Sequence, residues 1–143
     1  MIVLDAYALE AYFTMETSAP IVRDLLATGE QTLISGINLA EILDRMIRVH
    51  GASPAELEAN LLDTGVHVTG VDEAIAFSAA RLRATHYHRD RRAVSIADCC
   101  AAALALDRDA PLVTSDPALL GLIADENGRY MALPDSSGIV WSP

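Results

Sequence analysis

The sequence predicts an α/β protein with a mainly parallel central sheet. Three observations lead there. Short β-type runs alternate with helix-type patterns along the chain. The strand-like runs are almost continuously apolar, as suits strands covered on both faces. Two of them, IVL and PLVTS, lead into an aspartate where a helix pattern begins. With no internal repeat and no linker rich in Pro, Gly or Ser, residues 1 to 143 are expected to form one domain. A chain of this size buries about 68 to 70% of its unfolded surface.

The first strand is IVL (2 to 4), which runs into Asp5, and a helix is expected from Ser18 to Thr28. TLIS (32 to 35) is the second strand. Asn38 can then cap NLAEILDRMIRVH, whose Leu39, Ile42, Leu43, Met46 and Ile47 form one apolar face ending near Gly51. Ser53, Pro54 and Glu56 open the next helix as N-cap, first position and early acid, and Gly65 closes it. VHVT (66 to 69) follows, and Asp72 caps a helix reaching about residue 86. SIADCCAAALAL (95 to 106) reads as a helix buried on most sides, with Asp98 in its first turn. PLVTS (111 to 115), YMAL (130 to 133) and IVW (139 to 141) complete the strands, Trp141 serving core or end-of-sheet packing.

Composition narrows the chemistry. The chain has no lysine, which removes a phosphate-loop lysine and a Schiff-base amine. Cys99 and Cys100 are adjacent, lack zinc-site spacing, and read as small core residues. The longest apolar run, Cys99 to Leu106, is too short to cross a bilayer, and no secretory signal is legible, so a cytoplasmic protein without a membrane partner is expected. The net charge of −10 disfavours general nucleic-acid binding. Residues 81 to 92 nevertheless hold five arginines and one acid, a +4 patch on a −14 remainder. His86 and His88 in that segment are expected to be exposed rather than metal-bound.

Asp5 and Asp116 each follow a strand, while Glu41 and Asp98 are placed at the third helical position behind Asn38 and Ser95. If these turns rise on one edge of the sheet, four carboxylates meet where α/β proteins bind ligands. Each acid taken singly also has a local account, as helix cap, capping-box partner or Asx-turn residue. Together, four ionised carboxylates would repel by about 4 kcal/mol for each pair at about 4 Å. A divalent cation relieves that repulsion, and oxygen-only ligation suits Mg²⁺ or Mn²⁺ better than zinc.

MIVLDAYAL, NLAEIL, VSIADCCAAALAL and APLVTSDPALL, in this order and spacing, make the sequence resemble the PIN-domain ribonucleases, most closely the VapC toxins of toxin-antitoxin modules. The resemblance runs over nearly the whole chain and implies a PIN-like three-layer α/β/α fold. It implies a catalytic metal site formed by Asp5, Glu41, Asp98 and Asp116, with Thr114 or Ser115 as hydroxyl helper. Tyr7 departs from the family, many members of which carry a small hydroxyl residue there. The implied activity is Mg²⁺-dependent endoribonuclease hydrolysis, with Mn²⁺ as substitute, leaving 5′-phosphate and 3′-hydroxyl ends. Arg89, Arg91 and Arg92 are candidate RNA-phosphate contacts, with a solvated helix end as the alternative. A cognate antitoxin, docking on the helices from Ser18 to Thr28 and from Asn38 to His50, and a homodimer are implied partners. Two other functions stay open: an inactive PIN-fold module that only binds a partner, and a metal-dependent phosphatase or DNA nuclease using the same acids.

Overall fold

The structure, a computed structural model, describes residues 1–142. Its elements run β1 (Ile2–Leu4), α1 (Ala6–Thr14), α2 (Ala19–Ala27), β2 (Thr32–Ser35), α3 (Gly36–Arg48), α4 (Pro54–Thr64), β3 (His67–Thr69), α5 (Glu73–His86), α6 (Ile96–Asp107), β4 (Leu112–Thr114), α7 (Pro117–Asp125) and β5 (Tyr130–Ala132). Among the described residues the strands form one five-stranded sheet in the order β3-β2-β1-β4-β5, parallel throughout. The chain leaves β1 toward β2 on one side and later returns to β4 on the other. The crevice between the carboxyl ends of β1 and β4 is therefore the topological switch point.

Alternation along each strand divides the core into two layers. Val3, Leu33 and Leu112 point to one face, where Ile75, Leu82, Leu104 and Leu119 pack beside them. Ile2, Leu4, Ile34 and Val113 point to the other, against Leu9, Val22, Ile42 and Leu57. This is the three-layer α/β/α arrangement. Each fully buried Leu or Ile contributes about 1.5–3 kcal/mol relative to exposure, so the dozen large side chains with under 2% exposure dominate stability. Helix α6 is buried from Cys99 to Ala105, and its alanines let it lie close to the sheet. A tight fit also explains Gly128: a Cβ there would sit 2.7 Å from Ile123 Cδ1 and 2.8 Å from Leu106 Cδ2.

Several boundaries differ from expectation. Helix α3 starts at Gly36, and its cap is Ser35, whose side chain accepts from Asn38 N. The strand passes straight into the helix, so Asn38 becomes the third helical residue and Glu41 the sixth. Strand β4 ends at Thr114 because Ser115 and Asp116 turn away, Asp116 N donating to Thr114 Oγ1. β3 is an edge strand with His67 and Val68 exposed, not covered on both faces. Residues 139 to 141 add no strand. Asp135 Oδ1 accepts from Ser137 N and Ile139 N, Gly138 has φ +86, and Val140 makes only a bridge to Pro134. Trp141 packs edge-on against Tyr130 of β5.

Basic residues before α6 are also less free than expected. His86 ends α5 with its side chain 10% exposed, its Nε2 2.7 Å from Glu126 and its Nδ1 3.1 Å from Arg92. Arg92 donates to Asp125 at 2.6 Å, and its guanidinium lies against Gly121. His88 is exposed, as expected. No helix among the described residues is long and apolar enough to cross a membrane.

Candidate functional site

Each of the four acids is placed by a local backbone device. Asp5 caps α1, its Oδ1 accepting from Ala8 N at 2.9 Å. Asp116 caps α7, its Oδ1 accepting from Ala118 N at 2.7 Å. Asp98 completes a capping box in which Ser95 Oγ accepts from Asp98 N and Asp98 Oδ2 accepts from Ser95 N. The local accounts are therefore correct for these three residues. They do not use up the side chains, because Asp98 Oδ1 and Asp116 Oδ2 have no protein hydrogen-bond partner among the described residues. Glu41 lies on the exposed side of α3.

The electrostatics tie the four together. The charge of Asp98 raises the carboxyls of Asp5, Glu41 and Asp116, so one residue is felt by all three others. Burial is the larger cause in each case. Asp5, with 4% of its surface exposed, is pushed up to about 7, even though hydrogen bonds from Thr114 and Ala8 favour its ionised form. Thr114 is fully buried between two acids: its hydroxyl donates to Asp5 Oδ2 at 2.5 Å and accepts from Asp116 N at 3.0 Å. Ser115, the other candidate hydroxyl, is half-buried without a side-chain hydrogen bond.

The donor set is entirely oxygen, and burial together with the nearby Asp98 raises the carboxyls of Asp5, Glu41 and Asp116, with Arg45 offsetting part of this at Glu41. Both features suit a hard divalent cation. As the side chains stand, no three His, Cys, Asp or Glu residues among the described ones are arranged to hold an ion. An ion shared by these acids would need their side chains to rotate, and exposed Glu41 has room to do so.

Two neighbours escaped the sequence reading. Glu10 of α1 is buried, 7% exposed, and accepts from Arg45 Nε at 2.9 Å. Both residues act on Glu41, Glu10 raising its carboxyl and Arg45 lowering it. Arg45 lies one helical turn beyond Glu41, a spacing visible in the sequence. Glu10 had no comparable signal. Tyr7 rebuilds its hydrogen bond elsewhere, donating to Pro134 O at 3.4 Å.

A family model for the PIN domain matches residues 2–122, and the chain belongs to that family. Its fold is shared by toxin-antitoxin proteins of known structure. FitAcB from Neisseria gonorrhoeae is 19% identical at TM-score 0.67, covering 92% of this chain and 96% of its own. VapBC2 from Rickettsia felis, bound to a DNA fragment from its promoter, is 21% identical at TM-score 0.64, covering 93% and 99%. The Mycobacterium tuberculosis toxin VapC20, described as cleaving the Sarcin-Ricin loop, is 20% identical at TM-score 0.60, covering 77% and 85%. Comparison with curated protein sequences gives no match.

Proposed function

We propose that this chain is a VapC-type toxin: a Mg²⁺-dependent endoribonuclease held silent by a cognate antitoxin. The observation that carries the reading is that Thr114 bonds both Asp5 and the backbone of Asp116 at the switch point of the sheet, joining acids from distant parts of the sequence, with the charge of Asp98 raising both carboxyls. RNA as the substrate is part of the proposal, in line with the likeness to VapC20, described as a Sarcin-Ricin loop cleaving toxin.

Asp5, Glu41, Asp98 and Asp116 would hold Mg²⁺, with Mn²⁺ as a substitute. When bound, such an ion neutralises phosphate charge and makes water a stronger nucleophile at neutral pH. The protein's own part is positional. Thr114 fixes Asp5 relative to the turn bearing Asp116, and the Ser95 capping box fixes Asp98. Both caps leave one carboxylate oxygen uncommitted. No side chain is needed as a covalent nucleophile. Arg89 and Arg91, both exposed, are the proposed phosphate contacts of the basic segment, since Arg92 is engaged by Asp125.

An antitoxin segment carrying Arg would suit the acidic cleft. The exposed sides of α2 and α3 are the proposed docking surface, and α3 also forms an apolar groove with α4, lined by Leu43, Ile47, Leu57 and Leu61. A homodimer and a cytoplasmic setting are part of the same proposal.

The test is cleavage of a structured RNA with Mg²⁺, with EDTA, and by the Asp98→Asn variant. Cleavage confined to the parent protein with metal supports the reading. The inactive-module reading keeps the same fold and partner without cleavage. It prevails if no metal restores cleavage, and DNA or phosphomonoester turnover in the same assay would redirect the substrate class.

A further inference from the structure

We propose that Arg45, pinned by the buried carboxylate of Glu10, is a substrate-phosphate contact beside the acidic cleft. The inference rests on the ribonuclease reading and addresses its main electrostatic difficulty, how a chain of net charge −10 retains RNA near four acids.

Arginine is the only fixed cation this sequence offers, and most of its arginines are committed. Arg23, Arg48 and Arg108 pair with neighbouring acids on their own helix or turn. Arg81 and Arg92 pair with Glu126 and Asp125. Arg83 donates to Val94 O and covers the ring of Tyr87. Arg45 is paired with a buried acid, whereas the carboxylate that Arg108 meets through its own Nε is half exposed. Arg45 Nε donates to Glu10 Oε1 at 2.9 Å, while neither terminal nitrogen has a protein partner among the described residues. His50 Nε2 approaches the same oxygen at 3.5 Å.

The exposures fit an anchor and a presented group: the Glu10 side chain is 9% exposed and that of Arg45 51%. A guanidinium fixed through Nε keeps its two outer amino groups as a fork, the geometry that grips phosphate oxygens in a bidentate manner. Fixing it in advance also lowers the ordering cost of contact. Its location is right as well, since Arg45 follows Glu41 by one turn of α3 and so shares its face of the helix. Without Glu10, Arg45 could fold back onto Glu41, four residues earlier, and compete for the carboxylate. Glu10 is then a positioning residue acting through Arg45.

The experiment measures affinity apart from turnover. A fluorescein-labelled RNA hairpin is titrated by anisotropy against the Asp98→Asn protein over a range of salt, with Arg45→Ala, Arg45→Gln and Glu10→Gln added singly, and Glu10→Gln combined with Arg45→Ala. Circular dichroism checks folding. Either Arg45 change should raise Kd roughly 5- to 10-fold at low salt and reduce the slope of log K against log salt by about one. Because Glu10→Gln also removes a negative charge, its effect is read as a cycle: the share due to orientation vanishes in the Arg45→Ala background. Unchanged Kd and salt slope in folded Arg45→Gln overturn the phosphate contact. An equal Glu10→Gln effect in both backgrounds overturns the positioning role. If the parent cleaves RNA and Asp98→Asn does not, the ribonuclease reading survives either failure; a parent that neither binds nor cleaves RNA removes both.

Discussion

Replacing Asp5 with asparagine should make the metal-free protein more stable, although it removes a residue central to the proposed activity. Asp5 is raised from 3.8 to about 7, with burial the largest cause and Asp98 and Asp116 adding repulsion. The folded state thus binds this proton more tightly than the unfolded chain. For a carboxyl raised in this way, ionisation opposes folding above the folded value, and stability recovers as pH falls from about 7 toward 3.8. At about 1.4 kcal/mol per unit the difference approaches 4 kcal/mol above neutral pH. Asparagine removes the charge and keeps an acceptor for Ala8 N, but its amide and the Thr114 hydroxyl must reorganise. Allowing about 1–2 kcal/mol for that at every pH, the variant should gain about 2–3 kcal/mol near pH 8 and be about 1–2 kcal/mol less stable than the parent near pH 4. Urea denaturation in EDTA across that range measures it. Equal stability near pH 8, or a gain that does not shrink on acidification, would refute the view of Asp5 as an unrelieved buried charge.

Other outcomes follow from the same geometry. Thr114→Val removes the hydroxyl between Asp5 and Asp116, and RNA cleavage should fall at least about tenfold while Mn²⁺ affinity weakens, measured by isothermal titration. Ser95→Ala removes half the capping box of α6 and should cost about 1 kcal/mol by urea denaturation. Gly128→Ala drives a methyl into Ile123 and Leu106 and should cost about 1–3 kcal/mol, seen as a lower Tm. Saturating Mg²⁺ should raise the Tm of the parent by mass action and leave Asp98→Asn nearly unmoved.

The sheet was legible because parallel strands buried on both faces leave unbroken apolar runs, as IVL and TLIS do. Element boundaries were less legible, for local reasons. IVW has strand composition, but the Asp135 turn and Gly138 fold that segment onto itself. Asn38 resembles a cap, yet Ser35 caps α3 because β2 and the helix share a boundary without a loop. The four acids could be picked out by their strand-end and helix-start positions, since those positions fix where a side chain begins. Where its oxygens finish depends on tertiary partners: Thr114 reaches Asp5 across 109 residues, and Arg45 reaches Glu10 across 35. The engagement of His86 and Arg92 by the end of α7 was invisible for the same reason.

The central claim, that acids from separate stretches of chain share one hard cation, is tested most directly by a crystal soaked in Mn²⁺ and measured for anomalous scattering. The account predicts a peak about 2.0–2.3 Å from oxygens of Asp5, Asp98 and Asp116, with Glu41 turned toward it. No peak at saturating Mn²⁺, or a peak held by other residues, contradicts it.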